Sequence, residues 1–239
     1  MDKRSDETLE KMPIVIGITG GSASGKTTIA NYITEILVDC CYLSMDNYYK
    51  PLKDKAILND PELFKAYLLK ANFDEPDAIR KDLFVKHLSS VKNGNSVRSP
   101  IYDHATTTVV DTKTIRPNKY IIVDGLFLLS IAEVKELLDV SIFIKSNDTI
   151  RLSRRVARDV KERGNTVDTI QEQYYTSVKP MYYKHIDPYK DDADYVYDNT
   201  NDGCLVELQN SVASLAFKIL FDIEKQENPE NPDKQEDSI

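Results

Sequence analysis

The chain has 239 residues and a formal net charge of −8, with 41% hydrophobic and 29% charged residues. These proportions are typical of a soluble globular protein, and the length is sufficient for one α/β domain with a sizeable core. The acidic balance argues against a nucleic-acid-binding surface, which is normally basic. No run reaches the roughly 18 apolar residues of a membrane span. The three cysteines and three histidines have no zinc-binding spacing.

The N-terminal segment, residues 1–12, is polar and is predicted to be flexible. It lacks the apolar core of a signal peptide. The few cysteines, without a CxxC pair, suit a reducing compartment. We therefore expect a cytoplasmic protein, with the nucleus as the alternative.

Short apolar runs and helical spacings alternate along the chain. Buried strands are predicted at 13–19, 40–45, 120–123 and 140–144, and a last short strand at 195–197. Helices are predicted at 26–38, 61–69, 77–92, 148–163, 168–184 and 205–223, and a β-hairpin within 93–117. This α/β alternation predicts a parallel sheet with helices on both faces, in one domain over residues 13–223. Residues 224–239 are rich in Pro, Asn, Gln and acids and are predicted to be a disordered acidic tail.

A glycine-rich run, GGSASGKTT, links the first predicted strand to the first predicted helix. It fits the P-loop pattern G-x-x-x-x-G-K-[ST] completely. In such a loop, backbone N–H groups and the helix N-terminus surround the phosphates of a nucleotide. We expect Lys26 to bridge the terminal phosphates and Thr27 to ligate Mg²⁺. The predicted nucleotide-binding residues are Gly20, Gly21, Ser22, Ala23, Ser24, Gly25, Lys26, Thr27 and Thr28.

Two acids follow buried strands. Asp124 comes directly after YIIV and is predicted to be the second metal ligand. Asp46 ends the second predicted strand, within SMDNYY. Ligands of parallel α/β sheets bind at the carboxyl ends of the strands, so Asp46 should lie near the P-loop. A carboxylate there can accept the proton of an attacking hydroxyl.

Other polar residues suggest a site for the group that accepts the phosphate. Asp74, in NFDEPDA, could bind two ribose hydroxyls, and Tyr102, in SPIYD, could contact a flat base. Along the helix at 148–163, Arg151, Arg155 and Arg158 share one face. These arginines form either a solvated, ion-paired helix or a lid that closes over phosphates, with Gly164 as its hinge.

These stretches, together with VDGLFLL and RLSRRVARDVKERG, occur in the order found in uridine-cytidine kinases. Over roughly residues 14–200 the chain resembles that family, which belongs to the phosphoribulokinase/uridine kinase group of P-loop kinases. The resemblance implies a P-loop kinase fold, a β-hairpin over the nucleoside site and a helical lid. It also implies ATP as donor, Mg²⁺ as cofactor, and uridine or cytidine as the substrate phosphorylated on its 5′-hydroxyl. A homo-oligomer, specifically a tetramer, is implied by the resemblance alone.

The resemblance also assigns roles to individual positions. It implies that Asp46 is the general base and that Lys26, Arg158 and Arg163 act on the phosphates. Thr27 and Asp124 match the metal ligands. The implied nucleoside contacts are Asp46, Tyr49, Asp74, Tyr102, His104, Arg155 and Gln173.

Three positions depart from the family pattern. Asp124 replaces the usual Glu, Thr107 replaces a histidine that reads the pyrimidine, and Asn165 stands where Arg is common. Two alternatives therefore stay open. The chain is either a kinase for another riboside, such as nicotinamide riboside, or a nucleotide-binding protein with little catalysis that acts through a partner. A GTPase switch is disfavoured because no NKxD-type guanine motif is present.

Overall fold

The computed structural model describes residues 12–200 and 204–227. The predictions for the N-terminal segment, apart from Met12, and for residues 228–239 of the tail lie outside these residues. The described strands are β1 (Ile14–Gly20), β2 (Cys40–Ser44), β3 (Val97–Asp103), β4 (Thr108–Ile115), β5 (Tyr120–Gly125), β6 (Val140–Lys145) and β7 (Tyr195–Asp198). The described α-helices are α1 (Lys26–Ile36), α2 (Lys55–Asn59), α3 (Pro61–Lys70), α4 (Lys81–Lys92), α5 (Ala132–Lys135), α6 (Asp148–Arg163), α7 (Val167–Gln173), α8 (Lys179–His185) and α9 (Leu205–Glu227).

Five strands form the predicted parallel sheet, in the order β2-β5-β1-β6-β7. The register pairs Ile16 of β1 with Ile122 of β5 and Val140 of β6, so the apolar β1 lies at the centre. Successive side chains of a strand point to opposite faces. Val15 accordingly packs into one core cluster, whereas Ile16 and Ile18 pack into the other.

Helices cover both faces of the sheet, as predicted. On one face, α1 and α9 bury residues such as Ile29, Ile33 and Val212. On the other face, α4 buries Phe84 and Leu88, and the cluster continues into the β3–β4 hairpin. This two-sided burial explains why the central strands read as continuous apolar runs rather than alternating ones.

The sequence analysis missed two short helices and simplified one helical region. The short helices α2 and α5 were not predicted. The predicted helix at 168–184 is interrupted by a π-helical turn, Tyr174–Val178, between α7 and α8. Pro180 lies in the first turn of α8 and has no backbone N–H to donate, which accounts for the irregular turn before it.

The last helix is longer than predicted. α9 continues to Glu227, past the expected end at Ile223, so residues 224–227 belong to the helix rather than to a disordered tail. Ile219 and Ile223 are buried against the sheet. Lys225 in the last turn is a positive charge at the negative end of the helix dipole, which stabilises the helix. None of the helices in the described part of the chain combines the length and apolar character needed to cross a membrane.

Candidate active site

A cavity of about 940 Å³ opens at the carboxyl ends of β1, β2 and β5. Its lining joins parts of the sequence that are up to about 150 residues apart, including the P-loop, the β3–β4 hairpin and α6. Most of the predicted site residues line it, namely Ser22, Ala23, Gly25, Lys26, Thr27, Thr28, Asp46, Tyr49, Asp74, Tyr102, His104, Arg155, Arg158, Arg163 and Gln173. The other four, Gly20, Gly21, Ser24 and Asp124, lie behind this wall.

The P-loop wraps the start of α1. Gly25 adopts the left-handed conformation, with φ of 98°, and caps α1 without any side-chain hydrogen bond. The first N–H groups of α1 therefore have no side chain competing for them, as an anion-binding helix N-terminus requires. Lys26 donates from Nζ to the carbonyl of Gly21 at 2.8 Å. Burial lowers the pKa of Lys26, and the carboxylates of Asp46 and Asp124 oppose this effect.

The two predicted metal ligands contact each other. Thr27 Oγ1 donates to Asp124 Oδ2 at 2.9 Å, and Asp124 is 1% exposed. Its other oxygen, Oδ1, is buried and makes no hydrogen bond of ordinary geometry within the described residues, although Tyr42 and Ser44 lie nearby. Burial and the charge of Asp46 raise the pKa of Asp124. A hydroxyl and an unsatisfied carboxylate oxygen behind a phosphate-binding loop fit a hard cation such as Mg²⁺.

Asp46 is positioned by the end of β2. It lies in the first turn of a 3-10 helix, Met45–Tyr48, whose cap is Ser44, and its N–H donates to Ser44 Oγ at 3.3 Å. β2 pairs with β5 so that Ser44 lies opposite Asp124. The Asp46 carboxylate consequently influences the pKa of Lys26, Asp124 and Asp74. This places one carboxylate between the phosphate side and the acceptor side of the cavity.

Asp74 and Arg155 both line the cavity, and their charges interact. Asp74 is 8% exposed and lines the cavity. Burial raises its pKa, and the guanidinium of Arg155 is the strongest opposing influence. Arg155 also donates from Nη1 to Ser22 Oγ of the P-loop at 2.9 Å. Arg155 is therefore hydrogen-bonded to the P-loop and lies within electrostatic range of Asp74.

An aromatic cluster forms the far end of the cavity. The ring of Tyr49 lies 5.7 Å from that of Tyr102, 5.5 Å from that of His104 and 6.0 Å from that of Phe73. Burial, with Arg163 and Arg158 nearby, lowers the pKa of His104 to about 4, so its ring is neutral at pH 7. Flat rings around a partly buried cavity are suited to a planar base.

Two buried hydroxyls in this region have no partner. Thr107 is 1% exposed, and its Oγ1 bonds to no other described residue; the same holds for the hydroxyl of Tyr102. Thr107 also has a positive φ of 53°, which is unusual for a β-branched residue. Its carbonyl accepts a hydrogen bond from Leu52 N at 2.9 Å, which holds the turn of the hairpin in place. Unsatisfied buried hydroxyls beside an aromatic cluster indicate a polar ligand edge.

Residues 154–166, called the lid below, form the remaining wall together with α7. Arg158 and Arg163 line the cavity, and Gly164 ends α6 in the left-handed conformation with φ of 66°. Asn165, one of the departures from the family pattern, also lines the cavity. Gln173 donates from Nε2 to the carbonyl of Leu68 at 3.5 Å, so it contacts α3 as well as the cavity.

The sequence analysis did not identify several residues of the site. Lys65, Leu68 and Leu69 of α3 line the cavity. Asn47 accepts a hydrogen bond from Tyr102 N at 3.1 Å and so fixes the hairpin beside Asp46. Asn47 lies within SMDNYY, the stretch that the sequence analysis singled out for Asp46, so the sequence did point to this part of the site. The residues of α3 gave none, because an amphipathic surface helix carries no mark of the cavity that it covers.

Comparison with known proteins places these features in one family. The sequence pattern of the phosphoribulokinase/uridine kinase family matches residues 15–203. The chain is 39% identical over 187 residues to a uridine kinase of Clostridium novyi, covering 77% of this chain and 86% of that protein. It is also 39% identical over 183 residues to a uridine kinase of Leuconostoc citreum, covering 74% and 83%.

The solved structures agree on the fold. A phosphoribulokinase from Rhodobacter spheroides superposes with a TM-score of 0.55 at 19% identity, covering 79% of this chain and 70% of that one. The likeness supports the expected P-loop kinase fold, with its parallel sheet and flanking helices. The family resemblance predicted from the P-loop, NFDEPDA and arginine-rich stretches is confirmed: the chain belongs to the phosphoribulokinase/uridine kinase family.

Proposed function

We propose that this protein transfers the γ-phosphoryl group of ATP to the 5′-hydroxyl of uridine or cytidine, a reaction of pyrimidine salvage. The proposal rests on the part of the cavity that extends beyond the P-loop. A hydrolase needs only a positioned water, whereas this cavity continues from the P-loop past Asp46 to Asp74 and the aromatic cluster. The names of the two bacterial relatives support a uridine acceptor.

Each group of residues in the cavity has its own role in the proposed reaction. Asp46 accepts the proton of the 5′-hydroxyl as its oxygen attacks the γ-phosphorus and ADP leaves. Asp74 and Arg155 bind the ribose hydroxyls, which orients the attacking oxygen toward the phosphate. Lys26, Arg158 and Arg163 stabilise the charge on the transferred group. Thr27 and Asp124 would hold Mg²⁺, which neutralises phosphate charge when bound.

The base would lie among Tyr49, Tyr102 and His104, with Gln173 near the nucleoside. The hydroxyls of Tyr102 and Thr107 can each donate or accept a hydrogen bond. They can therefore match the 4-oxo edge of uracil as well as the 4-amino edge of cytosine. We place the reaction in the cytoplasm, where free cysteines such as Cys40 and Cys41 stay reduced.

The first experiment measures ADP production by the purified protein with ATP and Mg²⁺, with and without each nucleoside. Stimulation by uridine or cytidine is expected. Turnover of another riboside alone, such as nicotinamide riboside, would contradict the pyrimidine assignment but keep the kinase. ATP binding without transfer to any hydroxyl would instead favour a nucleotide-binding protein that acts through a partner.

Asp46→Asn tests the proposed base. The amide cannot accept the hydroxyl proton at neutral pH, so kcat should fall by about 10²–10⁴-fold. ATP affinity should change little, because Asp46 is not part of the P-loop. Asp111→Asn is the matched control, since Asp111 is an exposed residue of β4 outside the cavity. Retained turnover in Asp46→Asn would remove Asp46 from the mechanism.

A further inference from the structure

One acid of the lid has no role in the mechanism above. Asp159 is 0% exposed, although it lies on a helix whose surface is rich in charge. Its Oδ1 lies 2.7 Å from Arg158 Nε and 3.6 Å from Arg163 Nε, and its Oδ2 lies 3.4 Å from Arg155 Nε. The three arginines line the cavity, whereas Asp159 does not. The carboxylate therefore lies behind the arginines, on the side away from the ligand.

The contacts with Asp159 do not occupy the terminal nitrogens of the three arginines. In each pair the closest contact is made by Nε, the inner nitrogen of the guanidinium. The terminal nitrogens, which form the fork that binds phosphate in a bidentate way, are not taken up by these closest contacts. Arg155, for example, still donates from Nη1 to Ser22. Asp159 can thus hold the Arg158 guanidinium by a hydrogen bond and attract those of Arg155 and Arg163 by its charge, without occupying their terminal nitrogens.

The positive charges around Asp159 repel one another, so the arginines need a counter-ion to stay close together. Burial and the charge of Arg158 lower the pKa of Arg163, and Asp159 is the largest influence that raises it. Arg158 also acts against the charge of Lys26. Without a counter-ion, these like charges would push the flexible arginine side chains apart toward solvent. The Asp159 carboxylate, hydrogen-bonded to Arg158 and ion-paired with Arg155 and Arg163, holds these side chains together at the cavity wall.

We propose that Asp159 is a positioning residue, which sets Arg158 and Arg163 in the arrangement that binds the donor's phosphates. The inference rests on the proposed kinase function. It assigns Asp159 no contact with substrate. Its backbone carbonyl separately accepts the N–H groups of Gly164 and Asn165, so the end of α6 does not depend on the side-chain charge.

Asp159→Asn removes the charge while keeping the shape of the side chain. We expect kcat/KM for ATP to fall at least tenfold, because misplaced donors lose much of their stabilising effect. The KM of the nucleoside should change less than about threefold, since Asp74 is untouched and Arg155, although it pairs with Asp159, is also held by its hydrogen bond to Ser22. Asp168→Asn is the matched control. Asp168 is an exposed residue of α7 that does not line the cavity, and no ion pair joins it to another described residue. It should leave kcat/KM for ATP within about threefold of wild type.

A double-mutant cycle distinguishes positioning from other roles. In an Arg158→Gln, Arg163→Gln background the two arginines that Asp159 is proposed to position are absent, so adding Asp159→Asn should cost less than about twofold in kcat/KM for ATP. A full additional loss in that background would overturn the proposal, as would wild-type kinetics in Asp159→Asn alone. If Asp159→Asn fails to fold, Asp159→Glu decides the matter. It keeps the charge but moves it, and should lower kcat/KM for ATP at an unchanged nucleoside KM; wild-type kinetics would refute positioning.

Binding of a non-hydrolysable ATP analogue, measured by calorimetry, separates this proposal from the function that it rests on. If the wild type phosphorylates no riboside, the proposed function fails. The positioning role is then judged by affinity alone. It predicts that Asp159→Asn binds the analogue at least tenfold more weakly than wild type and Asp168→Asn, and equal affinities would overturn it.

Discussion

At the scale of single residues, Thr107 offers the sharpest test of the proposed base site. Its hydroxyl is buried beside the aromatic cluster without a partner among the described residues, in a turn with a positive φ. Valine has the same β-branched shape, so Thr107→Val removes the hydroxyl without changing the backbone preference. We expect the KM for uridine and cytidine to rise about 3- to 10-fold, the value of one hydrogen bond. Steady-state kinetics with each nucleoside at saturating ATP measure this.

The melting temperature of Thr107→Val provides a second test of the same hydroxyl. Removing a buried hydroxyl that has no partner in the free protein should leave the melting temperature unchanged or slightly raised. Thr108→Val is the control, because the hydroxyl of Thr108 bonds to Thr106 and does not line the cavity. If Thr107→Val shows a wild-type KM for both nucleosides, the hydroxyl does not contact the base.

At the scale of elements, the strands and helices that could be predicted are those whose pattern of apolar residues matches their burial in the fold. The buried strands and α6 were predicted nearly to the residue because continuous apolar runs and strong helical spacing report burial directly. Helix α2 was missed because it has five residues and buries none of them. The role of Asp159 was hidden for another reason: its charge among arginines predicts a solvated, ion-paired surface, and only the packing of the lid buries it.

A contact between distant elements supports the P-loop. Asn199, just after β7, donates from Nδ2 to the carbonyl of Ser24 at 2.8 Å and is 7% exposed. The same nitrogen lies so close to the position of a Cβ on Gly25 that no side chain would fit there, so Asn199 packs directly against the loop. Asn199→Ala leaves the Ser24 carbonyl unsatisfied, which costs about 1–3 kcal/mol. We expect the KM for ATP to rise roughly tenfold at an unchanged nucleoside KM, because the loop loses its fixed conformation.

Asn93→Ala is the matched control for this change. Asn93 makes the same kind of bond, from Nδ2 to the carbonyl of Ser89 at 2.8 Å, at the end of α4 and outside the cavity. Its KM for ATP should equal that of wild type. An equal rise in both variants would mean that general destabilisation, rather than the support of the P-loop, produces the effect.

At the scale of the whole molecule, the walls of the cavity differ in how firmly they are held. The sheet and α4 are anchored in the core, and α4 buries Phe84, Leu88 and Val91. The segment 55–70, which contains α2 and α3, contributes no fully buried residue, yet it lines the cavity through Lys65, Leu68 and Leu69. Segments with few buried apolar contacts open at low free-energy cost. The acceptor side is therefore the part of the molecule that ligands should stabilise most.

Hydrogen exchange followed by mass spectrometry tests this difference. Without ligand, amides of α3 should exchange at least tenfold faster than those of α4, a helix of similar length with a buried face. Uridine together with a non-hydrolysable ATP analogue should slow exchange in α3, because a bound nucleoside would fill the space that Leu68 and Leu69 face. Exchange in β1 and β5 should stay unchanged, since these strands are already fully buried. Equal protection of α3 and α4 in the free protein would show that the cavity is preformed on this side, and that nucleoside binding does not depend on ordering residues 55–70.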